Sequence, residues 1–102
     1  MKKYAWIIDV DHIENNETHV TGPSNADSQL LNELINSPAR TVVEGTGKNI
    51  KKFKMYDDDN ELYYSGRIIG DYDCLEPLDD FGTPNAGCTE IQVLEDGKWI
   101  TV

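Results

Sequence analysis

"NIKKFKMYDDDNELYYSGRII", residues 49–69, has the pattern of a β-hairpin. Two runs rich in apolar and aromatic residues flank the polar sequence "DDNE", as in two strands joined by a turn. Alternate side chains share one face of a strand. One face of this hairpin is therefore expected to be buried, and its side chains would be Phe53, Met55, Leu62, Tyr64 and Ile68.

The turn of this hairpin has suitable chemistry in Asp58-Asp59-Asn60. Asp and Asn tolerate left-handed backbone and form hydrogen bonds within their own turns. Gly66 lies in the middle of the second strand, where a glycine indicates a bulge or a close approach by another segment.

"TEIQVLEDGKWITV", residues 89–102, predicts a second hairpin on a two-residue Asp96-Gly97 turn of type I′. On one face this register pairs Val93 with Ile100 and Ile91 with Val102. Leu94 and Trp99 share the other face, and Glu95 lies opposite Lys98 near the turn.

The N-terminal half predicts one strand and one helix. "KYAWIIDVDHI", residues 3–13, alternates like a strand with one buried side, and the polar residues 14–25 read as a loop. Ser24 and Asp27 favour a helix start, and Ser37-Pro38 favours its end. The apolar stripe of this helix would be Leu30, Leu31, Leu34 and Ile35.

Two further segments are less regular. "RTVVEGTG", residues 40–47, fits either a short strand or a connecting loop, and residues 70–88 read as one long loop. The chain of 102 residues accommodates one hydrophobic core, so residues 1–102 are expected to form a single domain. The predicted class is α+β, a mostly antiparallel sheet of about five strands with one helix packed on a face.

The sequence predicts a soluble, cytoplasmic protein. No signal peptide is recognisable, because aspartates interrupt the first apolar region, and no run is long enough to span a membrane. In a reducing compartment Cys74 and Cys88 are expected to be free thiols rather than a disulfide.

Charge is the most distinctive property of the chain. Asp and Glu number 19 against 9 Lys and Arg, which gives a formal net charge of -10. Residues 56–96 hold twelve of these acids and a single base, Arg67. Such a field repels phosphates, so direct binding to nucleic acid or to an anionic membrane is disfavoured and a basic protein partner is favoured. Solubility alone is the simpler explanation.

No metal or cofactor site is predicted. "EGTGKN" is not a phosphate-binding loop, since Val42 stands in place of the required glycine and Asn49 in place of Ser or Thr. His12, His19, Cys74 and Cys88 lack the close pairs of zinc sites. "YDDDNELYY" lacks the alternating ligands of an EF-hand, although weak calcium binding to such carboxylates stays open.

No catalytic residue is predicted either. Asp79 and Asp80 are neighbours that point apart on an extended backbone, so they would not share a proton. In "EPLDDFGTPNAGCTEIQV", residues 76–93, Gly82 and Gly87 permit sharp turns. Phe81 is expected to insert into the core while the two aspartates cap or face solvent. This favours a packed loop over a dedicated binding site.

"FKMYDDDNELYYSGRI" and "PLDDFGTPNAGCTEIQ" resemble a family of small, acidic, uncharacterised proteins of bacterial and phage genomes. The resemblance covers residues 53–92, and the family pattern has Gly where this chain has Asn60. It implies a single-domain accessory protein, often of mobile elements, and transfers no catalytic residues.

These observations predict an acidic interaction protein, of the DNA-mimic kind found among phage anti-restriction and anti-CRISPR inhibitors, that occupies the nucleic-acid groove of a basic bacterial protein. One alternative is an immunity protein or antitoxin for a basic nuclease toxin, with Trp99, Tyr63 and Tyr72 as candidate anchors. Another is a metal-binding or enzymatic loop at residues 71–90, and a third is an accessory domain without inhibitory activity. The predicted partner-binding residues are Asp57, Asp58, Asp59, Glu61, Asp71, Asp73, Glu76, Asp79, Asp80 and Trp99.

Overall fold

The computed structural model describes residues 4–36, 50–70, 75–95 and 97–102. Several predictions therefore lie outside the described residues: the helix end at Ser37-Pro38, the segment 40–47, the candidate site residues Asp71 and Asp73, and Tyr72, Cys74 and Asp96.

Within these ranges the fold is α+β, as predicted, and its sheet is antiparallel throughout. The described part of the sheet has six strands rather than about five, in the order β2-β1-β4-β3-β5-β6. The strands are β1 (Tyr4–Asp11), β2 (Asn16–Gly22), β3 (Ile50–Tyr56), β4 (Leu62–Gly70), β5 (Glu90–Glu95) and β6 (Lys98–Thr101). Helix α1 spans Ser28–Asn36, and a π-helical turn at Leu78–Gly82 continues directly into helix α2 at Thr83–Ala86.

The hairpin predicted at residues 49–69 is confirmed as β3 and β4 at the centre of the sheet. Met55 lies opposite Tyr64, and both are buried together with Phe53 and Ile68. Leu62 is only partly buried, because the register shifts between Met55 and Tyr56 and leaves Leu62 opposite Tyr56. The turn uses left-handed backbone at Asn60, with a φ of 62°.

Gly66 marks a close approach, as its position in the strand suggested. A Cβ atom there would lie 2.0 Å from the backbone oxygen of Ile7 and 2.8 Å from Cζ of Phe53. Because neither neighbour is a flexible chain end, the close approach of β1 and β4 beside the register shift at Ile8 requires glycine.

The C-terminal hairpin is also confirmed. Val93 pairs with Ile100, Leu94 with Trp99, and Glu95 with Lys98, while the N–H of Val102 donates to the carbonyl of Ile91. Gly97 has a φ of 78°, as the predicted turn requires. β6 forms one edge of the described sheet, and its side chains are exposed.

The loop predicted at residues 14–25 was wrong, because Asn16–Gly22 forms strand β2. This strand is polar and largely exposed, so it lacks the alternation that marks a half-buried strand. It forms through antiparallel pairing with β1, in which Trp6 lies opposite Gly22 and Ile8 opposite Val20.

β1 was expected to bury one side, and the structure buries both. Trp6 and Ile8 belong to a larger core on one face of the sheet, together with Phe53, Met55, Tyr64, Ile68, Leu78, Cys88, Ile91 and Val93. Ala5 and Ile7 belong to a smaller core on the opposite face, with Leu34 and Ile69.

Helix α1 covers the smaller core. Its N-cap is Asp27 rather than Ser24, because the Asp27 carboxylate accepts from the N–H groups of Gln29 and Leu30 at 3.0 and 3.1 Å. Leu34 is fully buried as predicted, whereas Ile35 is 50% exposed and lies off the apolar stripe.

The long loop predicted at residues 70–88 is partly helical. The π-helical turn and α2 cover the larger core, where Leu78 and Cys88 are buried and Phe81 packs as expected. We refer to Leu78–Ala86 as the helical segment. Among the described residues, no helix is long and apolar enough to cross a membrane.

Candidate functional site

Carboxylates gather at one end of the sheet. Asp11 lies opposite both Asn16 and Tyr64, and Tyr56 lies opposite both Leu62 and Glu90. The β1–β2 turn, the β3–β4 turn and the start of β5 therefore meet at the same end. We call this region the acidic end, and its acids are Asp11, Glu14, Glu17, Asp57, Asp58, Asp59, Glu61 and Glu90.

The acidic end lacks local basic partners in the sequence. Residues 11–17, 56–62 and 89–91 contain no Lys or Arg. Asp58, Asp59 and Glu61 are exposed, as are Glu14 on the β1–β2 turn and Glu17 at the start of β2. Four of the predicted partner-binding residues, Asp57 to Asp59 and Glu61, thus lie together on a surface with further carboxylates.

Asp57 organises the β3–β4 turn. Its Oδ1 accepts from the N–H of Asp59 at 2.8 Å and from the N–H of Glu61 at 2.9 Å. These hydrogen bonds, with the bond from Glu61 as the largest cause, lower the pKa of the Asp57 carboxyl below its usual 3.8. A hydrogen bond with the same carboxylate raises the pKa of the Tyr63 phenol.

The pKa values of two more tyrosines at this end are raised by burial and by nearby carboxylates. Burial raises the pKa of Tyr64, and Asp11 and Glu14 add to the shift. Burial also raises the pKa of Tyr56, with Glu90 as the second cause. The acids of two turns and of β5 thus act on side chains of the same sheet end, as the register requires.

A second acidic group accompanies the helical segment and consists of Glu76, Asp79 and Asp80. All three raise the pKa of the Tyr4 phenol, after the larger effect of burial. Asp80 does more than cap or face solvent, because its Oδ2 accepts from Tyr4 Oη at 2.8 Å and from Trp6 Nε1 at 3.0 Å. These bonds connect the helical segment to β1.

Trp99 lies apart from both groups of acids. It pairs with Leu94 on the sheet face opposite Val93 and the larger core. There Lys54 Nζ lies 4.1 Å from the centroid of the Trp99 ring, a cation–π contact. The structure therefore does not join Trp99 with the predicted acids, and Asp71 and Asp73 lie outside the described residues.

Sequence reasoning gave no role to Arg67, which connects three elements. Its Nε and Nη2 donate to the Asp9 carboxylate of β1 at 2.9 and 2.8 Å. Its Nη1 donates to the carbonyl of Leu34 near the end of α1, also at 2.9 Å. Arg67 is 5% exposed and was visible in sequence only as the single base in an acidic segment.

Cys88, one of the four side chains considered and set aside as zinc ligands, lies in the larger core. Cys88 is a free cysteine with no exposed surface, and burial raises the pKa of its thiol to about 11. A neutral, inaccessible thiol is a poor nucleophile. In the described ranges, no three His, Cys, Asp or Glu side chains are grouped so that they could hold a metal ion.

Comparison with protein-family models, with curated proteins and with solved structures found no match to this chain.

Proposed function

We propose that this protein is a small acidic interaction protein that binds the basic nucleic-acid groove of a bacterial defence or regulatory protein. We place this binding in the cytoplasm, and it would block the partner by mimicking DNA, as phage anti-restriction and anti-CRISPR inhibitors do. The observation that carries the proposal is the acidic end, which combines three chain segments without a Lys or Arg in any of them.

The physical requirement for such a competitor is a dense set of charges on a rigid frame. DNA carries one negative charge per ~1.7 Å of its axis, so a few flexible carboxylates would not replace it. Here the hydrogen bonds of Asp57 and the pairing of β3 with β4 hold the backbone of the turn that carries Asp58, Asp59 and Glu61. The resemblance of residues 53–92 to small acidic phage and bacterial proteins, which is an inference from sequence alone, implies the same setting.

The test is affinity capture of bacterial proteins by the tagged protein at low and high salt. We expect a basic, nucleic-acid-binding protein to be captured at low salt, released as salt rises, and displaced by duplex DNA. D58N/D59N should weaken this capture by roughly tenfold, since about 0.7 kcal/mol is lost at each position.

The matched control is E33Q/E95Q, which removes the same charge from α1 and from the far end of β5. Equal weakening by both variants would mean that net charge, rather than the acidic end, drives binding. Capture that does not respond to salt or DNA would contradict the proposal.

A second candidate, an immunity protein or antitoxin, is favoured by the exposed edge strand β6. Trp99 is 38% exposed and is accompanied by the exposed Ile100 and Val102, an apolar edge suited to one tight partner. This candidate predicts that W99A abolishes capture of a single nuclease while D58N/D59N has little effect. The groove-binding proposal predicts instead that W99A has little effect and that D58N/D59N weakens capture by roughly tenfold.

A further inference from the structure

A cavity of about 420 Å³ lies between the end of β2 and the helical segment. It is lined by residues 20–24 together with Trp6, Phe81 and Asp80. It lies away from the acidic end, because Trp6 and Gly22 pair near the opposite end of β1.

The aromatic part of this cavity is tightly fixed. A Cβ atom on Gly22 would lie 2.3 Å from Cζ2 of Trp6, so only glycine lets β2 lie so close to the indole. The Trp6 and Phe81 rings are tilted by 58° with centroids 5.5 Å apart, and Phe81 also meets Tyr64 edge-on at 4.9 Å. Phe81 is only partly buried, which leaves part of its ring at the cavity.

The polar part of the cavity is one oriented carboxylate. Both hydrogen bonds from Tyr4 and Trp6 reach Oδ2 of Asp80. Oδ1 accepts no hydrogen bond from any described residue, so it remains an acceptor for a ligand. Neither Lys nor Arg lines the described cavity, and Asp79 and Glu76 add negative charge near Tyr4.

A carboxylate beside aromatic rings is the chemistry that recognises an organic cation. A guanidinium fits this arrangement better than an ammonium, because it is planar, stacks on aromatic faces and offers several N–H donors. Ser24 also lines the cavity, and its hydroxyl group can accept a hydrogen bond.

We propose that this cavity receives an arginine side chain of the basic protein partner. The guanidinium stacks on Phe81 and donates to Oδ1 of Asp80. The source of the arginine rests on the proposed function, whereas the guanidinium chemistry of the cavity does not.

The first experiment is a titration of the ¹⁵N-labelled protein with N-acetyl-arginine amide, observed at the two indole N–H signals. Trp6 donates to Asp80 and should shift saturably, while Trp99 provides an internal reference. N-acetyl-citrulline amide has the same shape without the charge and should bind about tenfold more weakly. Equal responses to the two amides would overturn the cation assignment.

The second experiment compares D80N with D79N in partner capture. Both remove one charge from the helical segment, but only D80N changes the carboxylate at the cavity while keeping an oxygen for Tyr4 and Trp6. D80N should weaken both arginine amide and the partner by about tenfold, and D79N should weaken neither as much. If D80N fails to fold, the citrulline comparison on the unaltered protein still decides the chemistry.

The two proposals fail differently. A Trp6 signal that responds to arginine amide, together with equal capture by D80N and D79N, would overturn the partner's arginine as the occupant and leave the groove proposal standing. Loss of salt-dependent, DNA-competed capture with an intact Trp6 response would overturn the groove proposal instead.

Discussion

Three consecutive aspartates in the β3–β4 turn have different surroundings. Asp57 is held by backbone N–H donors of its own turn, whereas Asp58 and Asp59 are exposed. One carboxylate therefore builds the turn, and the next two are available to a partner. On the helical segment Asp79 and Asp80 are both exposed, and they differ in that Asp80 accepts hydrogen bonds from Tyr4 and Trp6.

The hydrogen bonds of Asp57 in the β3–β4 turn predict that the stability of the protein depends on pH. The pKa of Asp57 is lowered in the folded protein, so its ionised form stabilises the fold above 3.8, and this contribution is lost as pH falls toward the lowered value. We expect D57N to have a lower Tm than the unaltered protein at neutral pH, with a difference that shrinks as the solution is acidified below 3.8. Thermal melts monitored by circular dichroism across this range measure it.

D58N serves as the control, because it removes the same charge from the adjacent, exposed residue. A Tm difference for D58N that follows pH in the same way would attribute the effect to charge repulsion rather than to the turn.

Arg67 predicts a large loss of stability on truncation. R67A leaves the Asp9 carboxylate, whose side chain is 22% exposed, without its ion pair and removes a donor from the Leu34 carbonyl. We expect the free energy of unfolding to fall by about 3 kcal/mol. Chemical denaturation measures this, and K98A at the exposed β6 should change it by less than about 0.5 kcal/mol. A loss below about 1 kcal/mol for R67A would show that the sheet does not depend on this contact.

At the scale of the elements, the described sheet contains three hairpins of consecutive strands, β1–β2, β3–β4 and β5–β6, which are joined by the pairing of β1 with β4 and of β3 with β5. β3–β4 and β5–β6 carry their turns and apolar alternation in the sequence. β2 is polar and exposed, and it pairs only with β1 in the described sheet. The helical segment and α1 then cover opposite faces of the sheet.

The close approach of β1 and β4 at Gly66 predicts that G66A lowers the free energy of unfolding much more than another Gly-to-Ala change does. The new methyl group would meet the Ile7 carbonyl and the Phe53 ring, so strands must separate, and we expect a loss of about 3 kcal/mol. G87A is the matched control, since its Cβ meets nothing within 4 Å and only its φ of 70° is unfavourable. It should lose about 1 kcal/mol. Denaturant melts in which G87A loses more stability than G66A would contradict this explanation of the close approach at Gly66.

At the scale of the whole molecule, charge is distributed unevenly along the sheet. The acidic end holds eight of the 19 acids, while Lys51 and Lys98 lie toward the other end, each beside Glu95. Lys54 lies on the face of Trp99. A basic surface would therefore be attracted most strongly to the acidic end, and Glu76, Asp79 and Asp80 form a second, smaller negative region near Tyr4.

Repulsion at the acidic end predicts that salt stabilises the protein. Added NaCl screens exposed carboxylates over about 10 Å at 0.1 M, so Tm should rise with salt. D58N/D59N should raise Tm at low salt and reduce its salt dependence more than E33Q/E95Q does. Equal slopes for the two variants, measured by calorimetry, would show that the acids repel one another no more strongly at the acidic end than elsewhere.

The parts of the fold that were predictable from sequence are those determined by neighbours in the chain. Asn60 and Gly97 indicated the two turns, and the alternation of apolar residues indicated that Phe53 and Met55 face the core. Gly66 indicated a close approach by a neighbouring segment. The acids of the β3–β4 turn could be proposed as a site for the same reason. The sequence did not show that Asp11, Glu14 and Glu90 join them, because that depends on which strands pair.

By itself, then, the sequence determined the two hairpins, the α+β class and the acidity, since each depends on local geometry or on composition. Tertiary structure alone decided the burial of both sides of β1, the existence of β2, the partners of Arg67 and the cavity beside Asp80. The β1–β2 pairing is short in sequence, with Asp11 opposite Asn16, but the polar β2 lacks the apolar alternation that would mark it as a strand. In the other three cases the decisive contact joins residues far apart in the chain. Such contacts form only when strand pairing and desolvation bring them together, and no local pattern encodes them.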